Sequence, residues 1–194
     1  MIERNNITGI IVAGGKSSRM GTDKGFLKIN GKTFMERIIK VLKPLVNDII
    51  IVSNNSDYDT FGHRRVEDII GNSGPLAGLY TGLCHSETEY NLVLSCDVPL
   101  LNSKVLNILL EGIDDVSEVI QLKSKDSTLP LIAIYQKHCL HRCLELLQNG
   151  ERRLQVAVEG FTTKTILLDT SLEKYVKNIN TMEQFKSMEN GVAY

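Results

Sequence analysis

The chain has 194 residues, 42% of them hydrophobic, and 22 Lys plus Arg stand against 23 acids. A chain of this length makes one domain that buries about 70% of the surface its unfolded form would expose. The near balance of charge excludes nucleic-acid binding through a bulk positive field, so any anion preference must come from local clusters. No run approaches the ~20 apolar residues that would span a bilayer, so no membrane partner is expected. Glu3 and Arg4 lead into a short apolar run without a signal-peptide pattern. The four cysteines, at 84, 96, 139 and 143, are therefore expected reduced in a cytoplasmic protein.

In chain order, Ile7, Ile10, Ile11 and Val12 read as a buried parallel strand, because β-branched side chains suit a pleat covered on both faces. Gly14 and Gly15 follow, where open α/β sheets place their ligands. Two glycines let the backbone turn sharply and aim N–H groups at an anion. Lys16, Arg19 and Lys24 add cations, and Ser17 and Ser18 add hydroxyls. The cluster predicts a phosphate-binding loop. Neither familiar phosphate motif fits: the spacing from Gly15 to Gly21 is one residue too long for a P-loop, and no glycine triplet matches the dinucleotide fingerprint. The second strand also ends in Ser53, Asn54 and Asn55 rather than in a ribose-binding acid, which disfavours a nicotinamide-dependent oxidoreductase.

Beyond the loop, Phe34 to Leu42 has helical spacing, with Thr33 as N-cap and Glu36 in capping-box position. Ile49 to Val52 is the second strand and Arg65 to Glu67 a short one. Pro75 to Cys84 reads as a helix that starts among small residues. Asn91 to Ser95 is a strand, Leu101 to Glu111 a helix, and Glu118 to Leu122 and Leu131 to Tyr135 are strands. His138 to Gln148 is helical, Thr165 to Leu168 is a strand, and Met182 to Met188 is a terminal helix. The alternation predicts a mostly parallel sheet covered by helices, a three-layer α/β/α fold, with no repeat or linker to mark a second domain.

Asp97 follows the buried strand residues Leu92, Val93 and Leu94, so its carboxylate can face the site that the glycine loop faces. Mg²⁺ takes one or two carboxylates together with phosphate oxygens and water, which Asp97 could supply; a strand-end turn aspartate is the alternative. Gly74 to Gly78 offers a backbone platform with exposed N–H groups at a helix start, or else close helix–sheet packing; both can hold together. Glu151, Arg152 and Arg153 open a predicted helix toward Val158. Two arginines there oppose the helix dipole unless an anion sits beside them, although a solvated pair reads equally well. Cys139 and Cys143 with His138 and His141 suggest a metal, but the cysteines share the apolar face with Leu140, Leu144 and Leu147 and read as core.

The run VAGGKSSRMGTDK, from Val12 to Lys24, closely resembles the signature of the molybdenum cofactor guanylyltransferases, with Val12 in place of the usual leucine. Glu67-Asp68, Gly74-Pro75-Leu76-Ala77-Gly78, Cys96-Asp97-Val98-Pro99, Gly150-Glu151-Arg152-Arg153 and Asn178-Ile179-Asn180-Thr181 agree in order. The resemblance covers nearly the whole chain and implies a Rossmann-like, glycosyltransferase-A type nucleotidyltransferase fold. It implies transfer of GMP from GTP to the phosphate of the molybdopterin cofactor, with release of pyrophosphate and with Mg²⁺ on Asp97. It assigns Val12, Ala13, Gly14, Gly15, Lys24, Asp68, Gly78 and Asp97 to GTP, with Arg19, Lys24 and Asp97 catalytic. Arg153 and Asn180 fall beside the second substrate. The family commonly has Asn where Ser53 stands, so Asn54 or Asn55 would have to compensate. Ala13-Gly14-Gly15 matches the guanine version rather than the cytosine version of the motif. A cytidylyltransferase, a sugar-phosphate nucleotidyltransferase or a non-catalytic adaptor that delivers cofactor to apo-enzymes are the alternatives. Transient contact with cofactor-biosynthesis proteins or apo-molybdoenzymes is also implied.

Overall fold

The computed structural model describes residues 3–14, 23–71 and 73–189. The expected first strand is β1 (Ile7–Val12), with every residue buried. A hairpin absent from the sequence reading follows: β2 (Lys28–Ile29) and β3 (Lys32–Thr33) pair antiparallel. Their turn is Asn30-Gly31, whose φ values of 50° and 77° are both left-handed, as a tight hairpin turn demands. Then come α1 (Phe34–Leu42), β4 (Asp48–Val52), β5 (Arg64–Val66) and α2 (Gly74–His85). They are followed by β6 (Tyr90–Ser95), α3 (Ser103–Glu111), β7 (Val119–Lys123) and β8 (Thr128–Gln136). The chain continues through α4 (Leu140–Gln148), α5 (Leu154–Glu159), β9 (Thr163–Leu167) and α6 (Met182–Glu189).

Local chemistry sets these boundaries. Thr33 caps α1 with its hydroxyl on the Glu36 N–H at 3.1 Å, and the Glu36 carboxylate accepts the Thr33 N–H at 2.6 Å. That is the predicted capping box. The helix after β6 starts two residues later than its apolar pattern suggests, because the Asn102 side chain accepts from the Val105 N–H and so becomes its N-cap. The Glu151–Arg153 segment does not open a helix. Arg153 is the N-cap of α5, and both arginines lie ahead of its first turn.

Seven strands form one sheet in the order β5-β4-β1-β6-β8-β7-β9. β5, β4, β1 and β6 run parallel, β8 is antiparallel to both β6 and β7, and β9 is parallel to β7. The sheet is mostly parallel, as expected, with β8 reversed. Alternate residues of the central strands feed two cores. Ile11, Ile51 and Leu94 meet α1 and α3 through Ile38 and Leu106. Ile10, Ile50 and Val93 meet α2 and α4 through Leu79 and Cys143. Helices on both faces make three layers. From β1 the chain moves outward to β4 and β5, then returns to β6 on the other side of β1. This reversal opens a crevice beyond the carboxyl ends of β1 and β6, the place where such sheets bind ligands.

Candidate active site

A cleft of about 720 Å³ lies at that crevice, and its walls include Val12, Ala13, Gly14, Asp68 and Gly78. Five of the residues expected at a nucleotide site therefore share one cavity. Gly15 and Arg19 lie outside the described residues.

Gly14 sits against Asp68: a Cβ on Gly14 would come within 3.8 Å of Asp68 Oδ2. Partial burial raises the Asp68 carboxyl above its ordinary range, opposed by the hydrogen bond from Asn54. The Asn54 amide binds Asp68 twice: Nδ2 donates to Oδ2 at 3.3 Å, and Oδ1 accepts the Asp68 N–H at 2.9 Å. Ser53 is buried, and its hydroxyl accepts the Asn55 N–H at 3.2 Å. Of the three residues that follow β4, Asn54 is thus the one joined to Asp68.

The close-packing reading of the small-residue helix start holds, and Gly74 and Gly78 also line the cleft. A Cβ on Gly78 would fall 2.7 Å from Val12 Cγ1, and one on Gly82 would fall 2.5 Å from Ile10 Cγ2. Glycines one turn apart therefore let α2 press directly onto β1. Gly74 has φ +70°, which a side chain would strain, and with Ser73 and Pro75 it lines the cleft.

Beside the cleft, two distant segments converge on Asp97. The Ser95 hydroxyl donates to Asp97 Oδ1 at 2.7 Å, and Lys24 Nζ donates to Oδ2 at 3.4 Å. Lys24 also donates to Asn180 Oδ1, and the Ile179 N–H donates to the Asp97 carbonyl at 2.9 Å. The turn at 178–180 is held by α6, where Gln184 Oε1 accepts the Asn180 and Thr181 N–H groups at 2.7 and 3.1 Å. Cys96, one residue before Asp97, is buried, and burial with the Asp97 charge beside it pushes its thiol far above the ordinary range. A thiol so protonated is no nucleophile.

Arg153 stands apart. Its guanidinium forks onto Glu151, with Nε to Oε1 at 2.9 Å and Nη2 to Oε2 at 2.6 Å. This bidentate pair, with the Arg152 and Arg153 N–H groups, holds the Glu151 carboxyl down at about 2. The segment does border the cleft, since a Cβ on Gly74 would lie 3.4 Å from the Arg152 carbonyl oxygen. Cys139 and Cys143 are buried core residues, and no group of three or more metal-ligating side chains occurs among the described residues.

Sequence reasoning missed Ser95, which donates to Asp97, and the hydrogen bond from the buried Tyr58 hydroxyl to Asp23 on the cleft wall. Asp23 belongs to the glycine-loop run, and a strand-end serine two residues before an aspartate is a readable signal. Tyr58 gives none, because its partner is 35 residues away.

A glycine-opened first strand, a carboxylate after the neighbouring strand and a lysine between them define a Rossmann-like nucleotidyltransferase. Residues 9–161 match the model of the MobA-like NTP transferase domain. A probable molybdenum cofactor guanylyltransferase of Flavobacterium johnsoniae is 31% identical, over 94% of this chain and 96% of its own. One of Clostridium perfringens is 37% identical, over 92% of this chain and 93% of its own. The crystal structure of molybdopterin-guanine dinucleotide biosynthesis protein A from Archaeoglobus fulgidus shares the fold. Its TM-score is 0.80 at 22% identity, over 94% of this chain and 97% of that one. The chain belongs to the molybdenum cofactor guanylyltransferase family, whose fold and enzyme class it shares.

Nucleotidyltransferases of this kind use a divalent metal ion. Asp97 fits one. It is a single carboxylate, 14% exposed, whose contact with Lys24 at 3.4 Å is long for a charge-assisted hydrogen bond. A lone carboxylate suits a hard cation that takes its remaining ligands from phosphate and water. Among the described residues no helix is long and apolar enough to cross a membrane.

Proposed function

We propose that the chain works as one nucleotidyltransferase domain in the cytoplasm, transferring GMP from GTP to the phosphate of the molybdopterin cofactor. An oxygen of the acceptor phosphate attacks the α-phosphorus of GTP. The new P–O bond forms as the bond to the β-phosphate bridging oxygen breaks, and that electron pair leaves with pyrophosphate. Such a transfer asks the protein mainly to position reactants and neutralise charge. The Ala13 N–H is already donated to the Val52 carbonyl at 2.9 Å, so the backbone N–H groups of Gly14 and Gly15, with Arg19 and Lys24, hold the triphosphate and stabilise the leaving group. Val12 and Gly78 shape the wall against the nucleoside. Asp97 would hold Mg²⁺, which when bound would supply Lewis-acid polarisation of the phosphate. Asn180 and Arg153 face the acceptor.

The single observation that carries this reading is the meeting of Gly14, Asp68 and Gly78 in one cleft with the Asp97–Lys24–Asn180 cluster beside it. Asp68 also favours guanine over cytosine. A desolvated carboxylate seeks paired donors, and guanine presents adjacent N–H groups where cytosine presents a single amino group beside a ring acceptor. The substrates are therefore small molecules, GTP and the pterin, with apo-molybdoenzymes or cofactor-biosynthesis proteins as transient partners. The test is a panel of GTP, CTP, ATP and NAD with Mg²⁺, read by thermal stabilisation and by acceptor-dependent pyrophosphate release. GTP at 100 times its Kd is expected to add about 2.7 kcal/mol of stability. Greater stabilisation by CTP overturns the guanine assignment, and GTP binding without pyrophosphate release points to an adaptor.

A further inference from the structure

Asp23 puts a carboxylate on the wall of a cleft read here as a triphosphate site, where an unpaired anion would repel the nucleotide. Its charge is taken up by three donors. Oδ1 accepts the Gly25 N–H at 3.1 Å and the Tyr58 hydroxyl, and Oδ2 accepts Asn55 Nδ2 at 3.2 Å. Tyr58 is fully buried, with ring centroids 4.8 Å from Phe26 and 5.8 Å from Phe61. Burial pushes its phenol far above the ordinary range, so the hydroxyl stays a donor at any working pH. A Cβ on Gly25 would lie 2.2 Å from the Tyr58 oxygen, so the backbone at 25 rests directly on the phenol. Lys24 lies between two residues fixed to the same side chain, and its ammonium reaches Asp97 and Asn180.

We propose that Tyr58, together with Asn55, is a positioning residue: by clamping Asp23 it fixes the chain at 23–25 and so sets the Lys24 ammonium beside Asp97. The turnover part of this proposal rests on the guanylyl-transfer reading; the geometric part does not. The aromatic cluster anchors the clamp to the core, which gives the chain at 23–25 a fixed point. Asp23 then acts as a structural hinge pin, its charge consumed before the nucleotide arrives.

Tyr58→Phe keeps the ring and removes the donor, and two readouts are expected to move. The first needs no nucleotide. Acetylation of Lys24 by a water-soluble N-hydroxysuccinimide ester, read by peptide mass spectrometry against exposed Lys32, is expected to speed up when the clamp loosens. The second is turnover. A misplaced ammonium is expected to lower kcat by about tenfold to 10²-fold with little change in KM for GTP. In a Lys24→Ala background the same substitution is expected to add no further loss, because its path of action is gone. Asn55→Ala leaves the aromatic cluster intact and is expected to move both readouts in the same direction, which covers a folding failure of Tyr58→Phe. An unchanged Lys24 acetylation ratio in the folded variants, or an equal fall in kcat with and without Lys24, overturns the proposal. A parent protein that releases no pyrophosphate from GTP overturns the guanylyl reading instead, and the acetylation ratio still decides the clamp.

Discussion

Asp97 and Lys24 show how much chemistry turns on single side chains here. The carboxylate is oriented from one side by Ser95 and faced from the other by Lys24, with both acidic and basic groups largely covered. Asp97→Asn keeps the size and the Ser95 hydrogen bond but removes the anion that holds a cation. Pyrophosphate release is expected to fall on the order of 10²-fold, mainly in kcat, with part recovered at raised Mg²⁺ or with Mn²⁺. A Mg²⁺ titration of both forms checks this, and equal rates at every concentration would return Asp97 to the role of a turn residue. At this scale the sequence was informative about which residues share a wall of the cleft. Val12, Ala13, Gly14, Asp68 and Gly78, which the resemblance groups at one nucleotide site, line one cleft. It named Asn54 only as a stand-in for the usual Asn and not as the partner of Asp68, and it gave nothing for Tyr58 on Asp23.

The elements that build the site owe their boundaries to local rules. The capping box at Thr33 and the Asn102 cap can be read from a few adjacent residues, because capping bonds span no more than three positions. The packing of α2 on β1 cannot be read that way, since its need for glycine becomes visible only when Val12 and Ile10 are in place. Gly78→Ala puts a methyl 2.7 Å from Val12 Cγ1, so helix or strand must shift. The expected cost is about 1–3 kcal/mol in urea unfolding, in line with overpacked cores, together with weaker GTP stabilisation because α2 carries the cleft wall. A variant of unchanged stability that still loses GTP binding would show that Gly78 serves the nucleotide and not the packing. The Glu151–Arg153 segment was misread for a related reason. Its charges suggested a helix start at Glu151, whereas in the fold the helix begins at Leu154 and the Arg153 guanidinium is held by the glutamate two residues back.

Across the whole molecule, most shifted carboxylates point one way. Glu36, Asp114, Glu118, Glu151 and Asp169 are held below their ordinary range, chiefly by N–H and hydroxyl donors of Thr33, Ser117, Thr162 and Ser171 and by the Arg153 guanidinium on Glu151. A carboxyl whose pKa is lower in the folded than in the unfolded state stabilises the fold above its unfolded value and loses that contribution as pH falls through the folded one. The ordinary values are 4.5 for Glu and 3.8 for Asp, and the Glu151 carboxyl reaches down to about 2. Tm is therefore expected to hold steady above about pH 5 and to fall progressively between 4.5 and 2. Asp68 runs against this trend, since its raised pKa makes the ionised form a small liability to the empty fold, as a ligand-facing acid can be. A Tm profile flat from pH 6 to 2, by calorimetry, would mean that these contacts add no proton linkage.

By itself the sequence determined the alternation of strands and helices, the glycine-opened end of the first strand and the family, because each rests on residues adjacent in the chain or on a motif read in order. Only the tertiary structure decided that β8 runs antiparallel between β6 and β7, since strand direction depends on which edges meet and not on the pattern of either strand. It alone decided that Lys24, Asp97 and Asn180 form one cluster and that Tyr58 holds Asp23. Those contacts join positions up to 156 residues apart, and no local preference carries information over that distance; the closing of the sheet brings them together.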